Sequence, residues 1–481
     1  MTEQTRATAA VVEFITSARG TDFPAEAVAL AKRCIIDGLG VILAGSTTDG
    51  SRILHDYVKE SDASAGSAGE STVLGERPMR AGAAFAAFLN GASGHAMDFD
   101  DTQLSETSDR IFGLLTHPTL PPLVSALALG ERLNVSGATF LEAFLVGFEV
   151  ECKIAESIDP SHYKKGFHSS GTIGTFGAMA TAARLLGLDA TATAHAIAIA
   201  ASLSSGIRVN FGTMTKPLHV GRAGQNGVLA AEWAARGFTG GGDALDGPWG
   251  YFQVFSFGQG FDAARIVGRL GNPHTIVSPG VSIKPYPCGV LGHPTMDAMR
   301  TLVITHDVRP EQVKAIRVRA GSNILNPLRY AVAQTELEAK FCPAFMVSSM
   351  VLRRKAGIHE FTDAFVRSAP VQAMMRKCST VLDPEIEAKG WAKIRSTVEV
   401  DLEDGRTLVQ PADERYRGGP DHPFTREDLH EKFTDCASLV LPEASRVETL
   451  RLVESLEQVA DITELVRALR AGVARPSQAG V

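Results

Sequence analysis

The chain has 481 residues, 44% apolar and 21% charged, with a formal charge of -7. That length exceeds what one hydrophobic core usually serves, so two or three domains of a soluble globular protein are expected. The acidic balance, without any long basic run, argues against a nucleic-acid partner.

The opening MTEQTRATAAVVEFITS lacks a basic stretch followed by an apolar core, so it does not read as a secretory leader. PAEAVALAKRCIIDGLGVILAG begins with proline in its first turn and becomes apolar on all sides toward its end, as a buried helix does. The run GAAFAAFLNGAS leads into SGHAMDFDDT, which holds Asp98, Asp100 and Asp101 within four residues. Buried carboxylates need partners, because desolvating their charge is costly. Continued as a helix, this stretch would place His95, Asp98 and Thr102 on one face. Two readings stay open here: a pocket in which Asp98 orients or shares a proton with a basic group, or a solvated helix end. A magnesium site would need a second acidic cluster, which the sequence does not offer.

GLLTHPTLPPL holds His117 before two proline breaks, aimed at a cleft or bonded to nearby backbone. ATFLEAFLVGFEVECKIAESI predicts another helix. In KKGFHSSGTIGTFG, Ser169 or Ser170 would cap a helix running to Leu186. His168, with Lys164 and Lys165 nearby, would then stand before the positive helix end, where a carboxylate could bind. TATAHAIAIAASLSSGI, the longest uncharged tract, is rich in Thr, Ser and Ala and carries His195. It reads as a tightly packed soluble helix, not a membrane span. In GTMTKPLHVGRAGQNG, Thr215 can cap and Pro217 suits the first turn. Lys216, His219 and Arg222 follow at three-residue intervals, where the helix dipole disfavours cations. Such local conflict marks functional sites, and a desolvated Lys216 would suit general-base work.

The texture changes at about residue 272. HTIVSPGVSIKPYPCGVLGHP is a Pro- and Gly-rich crossing that contributes Lys284, Tyr286, Cys288 and His293. VKAIRVRAG and STVEVDLEDGRTLVQ alternate like half-buried strands, the second with a DG turn. Helices such as AFMVSSMVLRRKAG and TDAFVRSAP lie between them. TREDLHEKF and ADITELVRALRAG are helical again, and ARPSQAGV reads as a frayed tail. The fold expected is mostly α. A large all-helical domain (1–271 and 421–481) is built from both chain ends, with an inserted α+β domain (272–420).

The six cysteines are scattered without a CxxC pair, which argues against a structural zinc site or disulfide framework and fits a reduced, cytoplasmic setting. GxGxxG, Walker A, HExxH and GxSxG motifs are missing. The inventory of Lys, His, Asp and Tyr suits proton abstraction beside a carboxylate, with cations stabilising enolate-like charge.

Taken in order, SGHAMDFDDT, THPT, GFHSSGTIGTFGAMATAARLLGLD, GTMTKPLHVGRA with ARGFTG, IKPYPCG with HP, ELEAKF and PFTREDLHEKF resemble the MmgE/PrpD family. That family includes 2-methylcitrate dehydratases, cis-aconitate decarboxylases and iminodisuccinate epimerases. The resemblance spans nearly the whole chain. It implies a cleft between helical domain and lid, a homodimer, a small di- or tricarboxylate substrate, and no metal or organic cofactor. It also implies site residues: Asp98, His117, His168 and Lys216 as the catalytic set, with Thr102 and Lys284 at the substrate. Tyr330 is the nearest match to a lid tyrosine of the decarboxylases, and Tyr286 is a further candidate for the substrate side. Asp100 and Asp101 would be structural. The decarboxylases carry a His five residues after the lid lysine; here that place is Gly289, and the nearest His is His293. The expectation is a cofactor-independent lyase of 2-methylcitrate dehydratase type, with epimerase/isomerase and cis-aconitate decarboxylase as alternatives. A non-catalytic binding protein on the same scaffold is the third possibility.

Overall fold

The computed structural model describes residues 7–62, 69–104 and 116–470. The expected tail ARPSQAGV and the Gly113–Leu115 part of the His117 segment lie outside them. Within the described residues the protein is predominantly helical with two small sheets.

Helix Ala25–Gly45 follows Pro24, and from Cys34 to Gly45 every residue is buried, as the all-round apolar pattern predicts. Helices Gly137–Ser157 and Gly174–Leu186 pack together and bury Phe140, Phe144, Phe148 and Phe176. Helix Ala83–Ala96 lies against Thr215–Ala235. They approach closely at two glycines. A Cβ on Gly221 would stand 2.6 Å from the Phe88 carbonyl oxygen, and one on Gly91 3.0 Å from that of Val220. Only glycine lets the two backbones come this near, and the crossing carries Lys216 over the end of the Ala83–Ala96 helix.

The chain's last helices return to the first ones. Lys432, on helix Arg426–Ala437, pairs with Asp37 at 2.6 Å, and the amide of Gly137 donates to the carbonyl of Val459 at 2.8 Å. The larger sheet is four-stranded, ordered Cys378–Leu382, Val313–Ala320, Ser396–Leu402, Thr407–Pro411. The last three pair antiparallel, and the first runs parallel to Val313–Ala320, with Ile316 opposite Cys378. Ile316, Val318, Val398 and Val400 are buried; helix His293–Thr305 packs against the Ser396–Leu402 and Thr407–Pro411 strands, and helix Pro343–Arg353 against Cys378–Leu382.

Several local expectations are corrected. The first part of the chain is not purely helical, because Ser71–Val73 and Met79–Ala81 form a two-stranded antiparallel ribbon. The helix expected to run to Leu186 is broken at Ile173, between Gly171 and Gly174, residues of low helix propensity. Its cap position is His168, not Ser169 or Ser170, and no side chain caps it. The cap of Thr215–Ala235 is likewise Met214 instead of Thr215, with the Thr213 hydroxyl accepting from the Thr215 amide at 3.2 Å. No helix among the described residues is long and apolar enough to cross a membrane.

Candidate active site

The Ala83–Ala96 helix stops before the acidic motif is complete. Met97 is its C-cap and Asp98 adopts a left-handed backbone, φ 51°. The single helical face predicted for His95, Asp98 and Thr102 therefore does not exist. Asp tolerates this conformation better than most residues, and here it turns the chain so that all three carboxylates enter the interior. Each is buried, so the solvated-end reading is overturned.

The three acids have different partners. One Asp98 carboxylate oxygen accepts from Lys284 Nζ at 2.6 Å and from Lys216 Nζ at 3.1 Å, and Lys284 also donates to the Asp98 carbonyl at 3.0 Å. The other oxygen, Oδ2, is buried without a hydrogen-bond partner. Burial works against the Asp98 charge, but Lys216 and Lys284 outweigh it and hold its pKa well below the usual carboxylate range. Asp100 accepts from His95 Nδ1 at 2.8 Å. Asp101 accepts from the Thr119 amide at 3.2 Å and the Thr119 hydroxyl at 2.7 Å. Burial, aided by Asp37 and Asp100, overrides those bonds and pushes Asp101 up to about 8. It is therefore held largely protonated at neutral pH.

His95 joins Asp100 to Lys216. Its Nδ1 faces Asp100, which leaves Nε2 to accept from Lys216 Nζ at 2.7 Å. Burial lowers the pKa of Lys216 against the opposing pull of Asp98. Lys284 is raised, because Asp98 and Asp100 outweigh its burial. His117 Nδ1 donates to the Asp101 carbonyl at 2.7 Å, which assigns the lone pair to Nε2, and burial lowers its pKa to about 3. His168 Nδ1 meets His219 Nδ1 at 2.9 Å, while its Nε2 is buried without a partner. Burial and the charge of Lys216 hold His168 well below the usual imidazole range. Both imidazoles are thus neutral at pH 7.

Of these groups Asp98, His117, Lys216 and Lys284 border a cavity of about 20 Å³, room for little more than a water molecule. Asp98, His117, Tyr163, Lys216 and Lys284 give it a polar floor; Val290, Leu291, Pro327, Leu328 and Phe341 give it an apolar roof. Gly289 also lines it, and a Cβ there would stand 2.9 Å from Leu328 Cδ2. His293 does not take that place, since its Nε2 donates to the Cys288 carbonyl at 3.2 Å.

The structure therefore brings Asp98, His117, His168, Lys216 and Lys284 together. Thr102 is buried beside His117, Oγ1 to Nδ1 3.5 Å, and pairs through its backbone with Ser282, which sets Lys284 opposite Asp98. Two tyrosines stand apart. Tyr286 donates to Asp297 at 2.6 Å and lines a different cavity, and Tyr330 donates to the Phe211 carbonyl at 3.3 Å. Lys164, Lys165 and Arg222 face outward. Cys288 is fully buried, and burial pushes its thiol up, away from nucleophilic use. His95, placed by its spacing beside Asp98, was given no role of its own by the sequence, and Tyr163 was not singled out because nothing near it signals this site.

Two family models match. The MmgE/PrpD N-terminal domain covers residues 9–264 and the MmgE/PrpD C-terminal domain residues 286–458. The chain is 28% identical over 449 residues to cis-aconitate decarboxylase of Homo sapiens, covering 91% of this chain and 89% of that one. It is 24% identical over 485 residues to the cis-aconitate decarboxylase-like protein oryM of Aspergillus oryzae, covering 97% of each. Cis-aconitate decarboxylase of Aspergillus terreus is 24% identical over 493 residues, covering 98% of this chain and 97% of that one. With family models spanning both halves of the sequence, the chain belongs to the MmgE/PrpD family.

Proposed function

We propose that the protein is a lyase that acts on a small di- or tricarboxylate by proton abstraction next to a carboxylate. The observation that carries this reading is the buried Asp98 carboxylate held between two lysine ammonium groups, with the neutral His117 at the same cavity wall. His117 Nε2 is the base. The C–H electron pair moves onto the neighbouring carboxylate as enolate charge, which Lys216 and Lys284 stabilise. In dehydration that pair forms the double bond as the β C–O bond breaks, and the departing hydroxyl takes a proton from Lys216, whose burial makes it a better acid. Asp98 keeps both lysines aimed at the cavity. The cavity is far smaller than such a substrate, so the 289–291 and 327–341 segments act as a lid that must lift for entry. A homodimer and a cytoplasmic setting belong to the same proposal.

Decarboxylation is the second reading, favoured by the relatives named above. There the C–CO₂ bond electrons stay on carbon, which then takes a proton from the same acid. Gly289, standing where the decarboxylases carry a histidine, makes dehydration the first choice.

The test is a proton NMR time course in deuterated buffer with 2-methylcitrate, citrate, cis-aconitate and iminodisuccinate in parallel. A new vinyl signal from a hydroxy acid is the expected result, and Lys216→Ala should abolish it while the variant still melts cooperatively. Itaconate from cis-aconitate would select the second reading. Solvent exchange without loss of water or carbon dioxide would replace both with epimerisation. Full activity of Lys216→Ala would end the assignment of that residue.

A further inference from the structure

Three imidazoles converge behind Asp98. One ring nitrogen each of His95, His117 and His168 lies within 4.8 Å of the others, and all three rings are buried. Two of the rings donate through Nδ1, His95 to the Asp100 carboxylate and His117 to the Asp101 carbonyl, and His168 Nδ1 meets His219 Nδ1 at 2.9 Å. A ring held by a carboxylate or carbonyl on one nitrogen presents a lone pair on the other, which is how proteins build transition-metal sites. His168 Nε2, 1% exposed as a residue, has no hydrogen-bond partner at all. A cation already sits at one of these rings: Lys216 Nζ lies 2.7 Å from His95 Nε2 and 3.1 Å from Asp98 Oδ1.

We propose that His95, His117 and His168 form a binding site for a borderline divalent ion such as Zn²⁺ or Co²⁺, with water completing its coordination. The ion competes with the Lys216 ammonium group for the His95 Nε2 lone pair. In the resting protein the lysine is the resident cation, and when its side chain withdraws the same donor set suits a tetrahedral ion. Zinc takes imidazole nitrogen at roughly 2.0–2.1 Å, so donors in such a site stand about 3.3 Å apart and the rings must close inward by about an ångström. An ion there would displace the ammonium group from His95 and block the site. Metal and lysine are thus alternatives, and this holds whichever carboxylate the enzyme turns over.

Binding is the readout, so the test is independent of the substrate. Chelator-treated full-length protein is titrated with Co²⁺, following the visible bands of four-coordinate cobalt, and with Zn²⁺ by calorimetry. Lys216→Ala and Lys216→Met should each bind a single ion at least about tenfold more tightly than the parent protein. Adding His168→Gln to either should cost about tenfold or more and abolish the four-coordinate spectrum. Circular dichroism confirms that each variant is folded. Equal affinity with and without Lys216, or cobalt binding indifferent to His168, would overturn the proposal.

Discussion

Two ionic clusters in this molecule use the same residue types to opposite ends. On the outer face of the larger sheet, Arg317 reaches Glu399 at 2.8 Å and Asp401 at 2.6 Å, and Arg319 reaches Glu399 at 3.0 Å. Those pairs sit across neighbouring strands, with water on one side. Around Asp98 two lysines and a carboxylate meet with almost no solvent. In water the gain of each contact is offset by lost hydration and side-chain freedom, so exposed pairs contribute little. In the interior the charges depend on each other, because none can be solvated if its partner is removed. The buried cluster is therefore tuned by its neighbours, which is what proton chemistry requires.

Breaking the buried cluster should have the largest effect. Asp98→Asn leaves Lys216 and Lys284 without their shared anion. It should lower stability by about 3–5 kcal/mol in urea denaturation and abolish turnover. A smaller loss below about 1 kcal/mol would show that water or an anion already screens the lysines.

His95→Gln cuts the link from Asp100 to Lys216 while leaving Asp98 in place. The expected outcome is a fall in kcat of about a hundredfold, with KM less affected and a shifted pH profile of kcat. An unchanged profile would make His95 a packing residue only.

Asp101 sharpens the comparison through pH. Its pKa is 3.8 in the reference state and about 8 in the fold, so the fold favours its protonated form. That contribution is complete below pH 3.8 and is lost as pH rises through 8. Asp101→Asn mimics the protonated acid. Its denaturation midpoint should therefore fall less than the parent's between pH 6 and 9, and an identical fall in both would contradict the burial argument.

The smallest effect belongs to the sheet face. Arg317→Ala should change stability by less than about 1 kcal/mol, and less still in high salt. A larger, salt-independent loss would mean that the arginine stem, rather than its charge, supports the sheet.

Much of this was legible beforehand where the pattern is local. Val313–Ala320 and Ser396–Leu402 alternate with period two, and Ala25–Gly45 is apolar all round, so their elements followed from composition along the chain. Asp98 stood out as charge beside an alanine run, His168 and Lys216 as basic groups at helix starts, and His117 and Lys284 by their proline-rich segments, which resemble those of the family. The remainder depends on long-range register. Nothing near His95 announces that a lysine 121 residues later will bond its Nε2, because the Gly91–Gly221 crossing decides that. Tyr286 drew notice for its company in KPYPC, but the bent backbone there turns it from Lys284 toward Asp297. The edge strand Cys378–Leu382 is exposed and pairs parallel, so it shows no alternation.

Lys432 has a consequence of another kind. Its ammonium group donates to the Phe99 carbonyl at 2.8 Å and sits 3.9 Å above the Phe99 ring, while also pairing with Asp37. The residue beside Asp98 is therefore fastened by a group more than three hundred positions downstream. During synthesis on the ribosome, the early helices can collapse long before that fastening emerges. The loop that carries Asp98 must then wait in an unfinished shape until the Arg426–Ala437 helix has been made.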